Sequence, residues 1–209
     1  MSISITLIII IVTSLISWQA LEHPDKLALL KHYPYQEART GQWYRFLTSG
    51  FVHGSVMHLI LNMYVFYIFG EYVEQYFVVR LGPSIGRILY VVFYLTAIIV
   101  ADIPTFVKQK ENPGFASVGA SGAVSGILFV FIMINPWAIL ELFFILPIPA
   151  IIAGIAYLIY SSWASKNRQD HIDHLAHFYG ALYGIAFALI TLPKIGTDFV
   201  LRLMEGLPF

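Results

Sequence analysis

The sequence predicts an all-α membrane protein, a bundle of six transmembrane helices with a long, partly interfacial first loop, in one domain of 209 residues. Three observations predict it. Hydrophobic residues make up 58% of the chain and charged residues 11%, where about 25% charge is usual for a soluble domain. The mean hydropathy is +0.75. Apolar stretches close to the roughly 20 residues that span a bilayer recur along the chain, parted by polar turn signals.

The first span is expected from about Ile3 to Ala20, ending beside Trp18, an aromatic suited to the membrane interface. It has no basic leader and no small-residue cleavage signal, so it reads as a retained helix. Residues 21–54 carry Lys26, Lys31, Arg39 and Arg45 together with apolar runs such as Leu27-Ala28-Leu29-Leu30. A purely solvated linker would not hold that much apolar surface. The second span covers about Gly54 to Tyr72. Gly82-Pro83 then turns the chain into a third span, about Ser84 to Ala101, followed by a polar loop from Pro104 to Gly114. The fourth span, about Ser117 to Met133, stops before Asn135-Pro136. Residues 136–146 are placed in the interface, because Glu141 and Pro147-Ile148-Pro149 argue against an unbroken helix. A fifth span from about Pro149 to Trp163, a short polar loop, and a sixth from about Ile172 to Leu192 complete the bundle. From Lys194 onward the tail reads as a brief amphipathic helix.

The formal net charge is zero, which gives no reason to expect a nucleic-acid partner. Without cysteine, disulfides, thiolate nucleophiles and cysteine zinc sites are excluded. Basic residues on the side of the termini are Arg80, Arg87, Lys194 and Arg202; the opposite side holds the remaining eight of twelve. Counted by the positive-inside rule, the termini lie outside.

Gly119-Ala120-Ser121-Gly122 opens an uncharged run from Asn112 to Leu140. At the head of a helix, Ser121 would meet free backbone N–H groups and the positive dipole end, which favour a developing negative charge. The same small residues also suit close helix packing. Ionisable residues at membrane depth are functional candidates by default. His53 lies at the edge of the second span, and His58 and Asn62 share one face of it, able to donate to a common oxygen or to glue helices together. His177, Gly180 and Gly184 share a face of the sixth span. If that face meets Gly122 and Gly126, imidazole comes within reach of the Ser121 hydroxyl, as a general base requires. His171, His174 and His177, with Asp173 among them, do not have the spacing of helical zinc hydrolases, so no metal and no cofactor is expected.

Together these residues resemble the rhomboid family of intramembrane serine proteases. The likeness takes in Trp43-Tyr44-Arg45, His58-x-x-x-Asn62, Gly70 and Glu74, Gly119-Ala120-Ser121-Gly122, and Ala176-His177-x-x-Gly180-x-x-x-Gly184. It implies an intramembrane serine endopeptidase that cleaves transmembrane segments of membrane proteins, embedded as a multi-pass protein in a prokaryotic cell membrane. Its partners would be transmembrane substrates and the lipid bilayer. By likeness, Ser121 is the nucleophile and His177 its base in a dyad without aspartate. His58 and Asn62, with the Ser121 N–H, would hold the oxyanion. Arg45 and Glu74 look structural, as do Gly119, Gly122, Gly180 and Gly184. The fifth span and the loop after it resemble the region of substrate entry. The family's cavity opens away from the cytoplasm, opposite to the charge count.

One departure stands out. Many relatives carry an aromatic residue one turn after the serine, packed on the histidine ring; here that position is Ser125, and Phe178 or Tyr179 are the expected substitutes. The alternative reading is a catalytically inactive rhomboid-like protein that binds transmembrane clients. A transporter or channel finds no inverted repeat and no acidic residue deep in a span to support it. A scaffold would leave Ser121, His58 and Asn62 without a shared purpose.

Overall fold

The computed structural model describes residues 3–142, 145–168, 170 and 172–206. The chain runs through α1 (Ile5–Glu22), three short helices, α2 (Pro24–Leu30), α3 (Pro34–Thr40) and α4 (Arg45–Thr48), and a 3₁₀ turn at Ser49–Phe51. The longer helices α5 (Val56–Leu81) and α6 (Pro83–Gln109) follow, then α7 (Ser121–Ile134). A hairpin of β1 (Ile139–Leu142) and β2 (Leu146–Pro149) precedes α8 (Ala150–Asn167), α9 (His174–Thr191) and α10 (Ile195–Glu205). By length and composition α1, α5, α6 and α9 are able to cross a membrane. α7 is apolar but has only 14 residues, and α8 ends in the polar run Ser161-Ser162-Trp163-Ala164-Ser165-Lys166-Asn167.

α7 is the axis of the bundle. From Gly122 to Ile134 all its residues but Leu128 are buried, as befits a helix that is apolar on every side. α9 lies against it through small residues. A Cβ built on Gly126 would come 3.0 Å from the Gly180 carbonyl oxygen, and 3.6 Å from the Gly184 Cα. α6 closes the other side with Tyr90, Phe93 and Tyr94, all fully buried, and Phe93 stacks on Phe187 of α9 at 4.9 Å.

α1 is tied to α5 by a buried carboxylate. Glu74 accepts from the backbone N–H of Ile5 (2.9 Å) and Thr6 (2.8 Å) and from the Thr6 hydroxyl (2.9 Å). An anion at these otherwise orphaned N–H groups offsets the helix dipole. Arg45, 1% exposed, does the same for the first loop. Its guanidinium donates to the carbonyls of Ala28 (2.8 Å) and Lys31 (3.0 Å) and to Gln42 Oε1 (2.7 Å), drawing α2, α3 and α4 into one folded unit.

Several elements differ from the sequence reading. The second span continues past Tyr72 to Leu81, because Glu74 spends its charge on the α1 terminus. The third continues through Pro104 to Gln109 and replaces much of the expected polar loop. The proline costs one backbone bond, but the helix end is held by side chains: Ser49 donates to Asp102 at 3.0 Å, and Thr105 to Asp173 at 2.8 Å. Between α7 and α8 the chain forms an antiparallel hairpin, in which Pro147 faces Glu141 and Pro149 faces Ile139. In a two-stranded ribbon each strand has a free edge, so proline is tolerated there.

Candidate active site

The turn before α7 is held by the first loop. Residues His32 and Ser117 exchange backbone hydrogen bonds at 3.0 Å, and the Gly119 N–H donates to the Ser49 carbonyl at 3.0 Å. Gly119 has φ +120°, a conformation that favours glycine, and it lets the chain swing directly into Ser121 at the first position of α7. The Ala120 N–H points at Nε2 of His53, 3.4 Å away.

His53 is fully buried, and its tautomer follows from its partners. The Ser17 hydroxyl of α1 donates to the Phe51 carbonyl (2.9 Å), so His53 Nδ1–H donates to Ser17 Oγ (2.8 Å) and Nε2 is left to accept. Burial, and then the neighbouring His58, hold the His53 pKa down to about 3. The neutral ring is the form this relay needs.

Ser121 Oγ lies 2.8 Å from His177 Nε2. His177 is set one turn into α9, whose N-cap Asp173 accepts from the Ala176 N–H at 2.9 Å. Hydroxyl and imidazole therefore lie within hydrogen-bond reach of each other at a helix N-terminus, where unpaired N–H groups and the dipole favour negative charge. Among the described residues no carboxylate is hydrogen-bonded to the His177 ring. Its neighbours are rings: His174 edge-on at 5.9 Å and Tyr157 of α8 stacked at 6.1 Å, with 22° between the planes.

Tyr157 was not singled out from sequence. Its hydroxyl lies 2.5 Å from Ser125 Oγ, which itself donates to the Ser121 carbonyl at 2.7 Å. Phe178 and Tyr179, the expected substitutes, pack on each other at 5.4 Å instead. The ring stacked on His177 thus comes from α8, and Ser125 is its hydrogen-bond partner.

His58 is brought to the serine turn, whereas Asn62 has its observed hydrogen bond within its own helix. The His58 ring lies over Gly119, so that a Cβ there would come 2.9 Å from His58 Nε2. Asn62 is buried, and its Nδ2 donates to the His58 carbonyl of its own helix at 3.0 Å. Gly122, Gly180 and Gly184, with Gly126, form the α7–α9 contact behind Ser121 and His177, while Arg45 and Glu74 anchor remote parts of the fold. His171 lies outside the described residues. His174 Nε2 pairs with Asp170 at 3.1 Å, and no metal-holding cluster is found among the described residues. A polar cavity of about 550 Å³ opens beside the site, lined by Thr105, Lys108, Ser117, Lys166 and His174 among others.

The Rhomboid domain family matches residues 40–194. The chain is 32% identical over 167 residues to RHOMBOID-like protein 12, mitochondrial, of Arabidopsis thaliana, covering 73% of this chain and 48% of that one. It is 31% identical over 115 residues to Rhomboid protease GlpG of Haemophilus influenzae, 54% of either chain. To the mouse presenilin-associated rhomboid-like protein, mitochondrial, it is 29% identical over 143 residues, 66% of this chain and 36% of that one. The chain spans about half the length of the first of the relatives it matches.

Proposed function

The chain belongs to the rhomboid family, and on that basis we propose that it is an intramembrane serine endopeptidase acting on transmembrane segments. The observation that carries this reading is the 2.8 Å contact between Ser121 Oγ and His177 Nε2 at the head of a buried helix. The name of the GlpG relative, a protease, agrees with it.

The chemistry is acyl transfer. His177 Nε2 takes the Ser121 proton as Oγ attacks the scissile carbonyl carbon, and the carbonyl π pair moves onto oxygen. That oxyanion is met by the Ser121 N–H and by His58, whose ring lies beside the turn. Collapse of the tetrahedral species breaks the C–N bond, and the amine leaves with the proton from His177. Water then gives its proton to the same nitrogen as its oxygen attacks the ester carbon; the C–Oγ bond breaks, Ser121 Oγ takes the proton back from His177, and the acid is freed. Because a helical peptide bond is shielded by its own turn, the substrate must be locally unwound.

All six long helices are proposed to cross the membrane, α7 and α8 included. The family orientation, with the serine end away from the cytoplasm, is proposed over the charge count. Arg45 is buried and Arg39 is paired with Glu111 at 2.8 Å, so charges of the first loop belong to a folded unit, which the rule discounts. The relatives include organelle proteins as well as a bacterial one, so the family fits either kind of membrane.

The test is labelling by a serine-directed phosphonate together with cleavage of a reporter transmembrane segment by purified protein. Both are expected, and both are expected to vanish in Ser121→Ala, with cleavage also lost in His177→Ala. Cleavage retained by Ser121→Ala would overturn the assignment. A folded wild-type chain that binds the segment but neither reacts nor cleaves would identify a client-binding protein instead.

A further inference from the structure

We propose that Tyr157 is the positioning residue of the dyad, its ring orienting His177 and its hydroxyl fixed through Ser125 to the main chain of Ser121. This rests on the endopeptidase reading above. A catalytic imidazole needs something to set its plane, and a hydrogen-bonded carboxylate usually does so. Here no carboxylate is bonded to the ring among the described residues, and the nearly parallel face of Tyr157 lies 6.1 Å away, within the range of offset stacking.

The hydroxyl separates this role from ordinary packing. Ser125 Oγ donates to the Ser121 carbonyl, so its remaining capacity is to accept, and the Tyr157 O–H donates to it. One side chain of α8 therefore touches the base with its ring and reaches the nucleophile's own carbonyl in two hydrogen bonds. A tyrosine that served only to fill space would not need that anchor. The serine at 125 is likewise explained, since it is the group the hydroxyl is tied to.

The experiment compares Tyr157→Leu, Tyr157→Phe and the double variant Ser125→Tyr/Tyr157→Leu, which returns an aromatic to α7. Cleavage of the reporter segment is resolved into kcat and KM, thermal unfolding is recorded, and the His177 ring protons are followed by NMR in histidine-labelled protein. Tyr157→Leu is expected to lower kcat on the order of 10- to 10²-fold with KM little changed, and to shift the His177 ring signals as the ring current is lost. Tyr157→Phe keeps the volume and is expected to show a smaller loss of kcat and a smaller shift. The double variant is expected to recover most of kcat. A purely structural role would not be rescued by moving the ring to another helix.

Unchanged kcat and unmoved His177 signals in Tyr157→Leu would overturn the proposal. If that variant does not fold, the same two findings in Tyr157→Phe would overturn it. A wild-type chain that is inert toward substrate and phosphonate would overturn the endopeptidase reading, and the NMR comparison would still decide whether Tyr157 sets the plane of His177.

Discussion

A Cβ placed on Gly180 would overlap the carbonyl group of Gly122. Across this contact α7 and α9 meet backbone to backbone, and the meeting seats Ser121 against His177. Gly180→Val is therefore expected to abolish most cleavage. Overpacking costs about 1–3 kcal/mol or forces the helices apart, and a displacement of about 1 Å between reacting groups can cost on the order of 10²-fold in rate. Ile190→Val, on the same helix at a residue 84% exposed, is the control and should leave activity unchanged. Cleavage rate per folded molecule, measured beside the melting temperature, checks both; full activity in Gly180→Val would contradict the helix contact described here.

His58 and Asn62 should not contribute equally. Removing a true oxyanion donor typically costs about 10²–10³ in kcat, and His58→Ala is expected to fall in that range with KM nearly constant. One of the two Asn62 amide hydrogens is already given to the His58 carbonyl, so Asn62→Ala should cost less. Steady-state kinetics on one reporter decide it. A rise in KM with kcat intact for His58→Ala would make that residue a substrate contact and not an oxyanion donor.

Arg45→Met would strand the carbonyls of Ala28 and Lys31 inside the first loop. An unsatisfied buried polar group costs about 1–3 kcal/mol, so a clearly lowered melting temperature is expected, with faster protease nicking between residues 21 and 54. A first loop as protease-resistant as wild type would show that the guanidinium is dispensable.

His32 supplies a pH dependence. Burial pushes its pKa down, but the charge of Asp102 and the hydrogen bond to Glu37 at 2.9 Å outweigh this and raise it above the ordinary 6.5. A raised folded value means that the stabilisation is complete below the unfolded pKa and is lost as pH rises through the folded one. The melting temperature of the wild-type chain should thus fall, as pH rises above the ordinary value of 6.5, by more than that of His32→Gln. Equal slopes would remove His32 from the account.

What could be read from sequence was what short spacing along one helix encodes. The Gly122/Gly126 and Gly180/Gly184 pairs, the shared face of His58 and Asn62, and Ser121 at a helix start all follow from helical period. Contacts between distant segments left no such trace. Tyr157 meets His177 and Ser125 only because α8 folds back onto α7 and α9, and nothing in its neighbours marks it among the thirteen tyrosines of the chain. The passage of α6 through Pro104 depends on Ser49 and Asp173, each remote in sequence. The hairpin after α7 is built of four-residue strands, too short to show alternation, and its prolines argue locally against a strand.

The hydrogen-bond relay that ends at Ala120 begins on Ser17, and the buried carboxylate of Glu74 is spent on Ile5 and Thr6. Both partners lie upstream of residue 40, where the family match starts. The recognisable homology unit and the cooperative unit therefore have different borders. Trimming the chain to the matched stretch would leave His53 Nδ1 and the Glu74 carboxylate without these partners, one beside the Ser121 turn and one toward the far end of α5. The first helix, which lies outside the matched stretch, is in this sense part of the same folded unit.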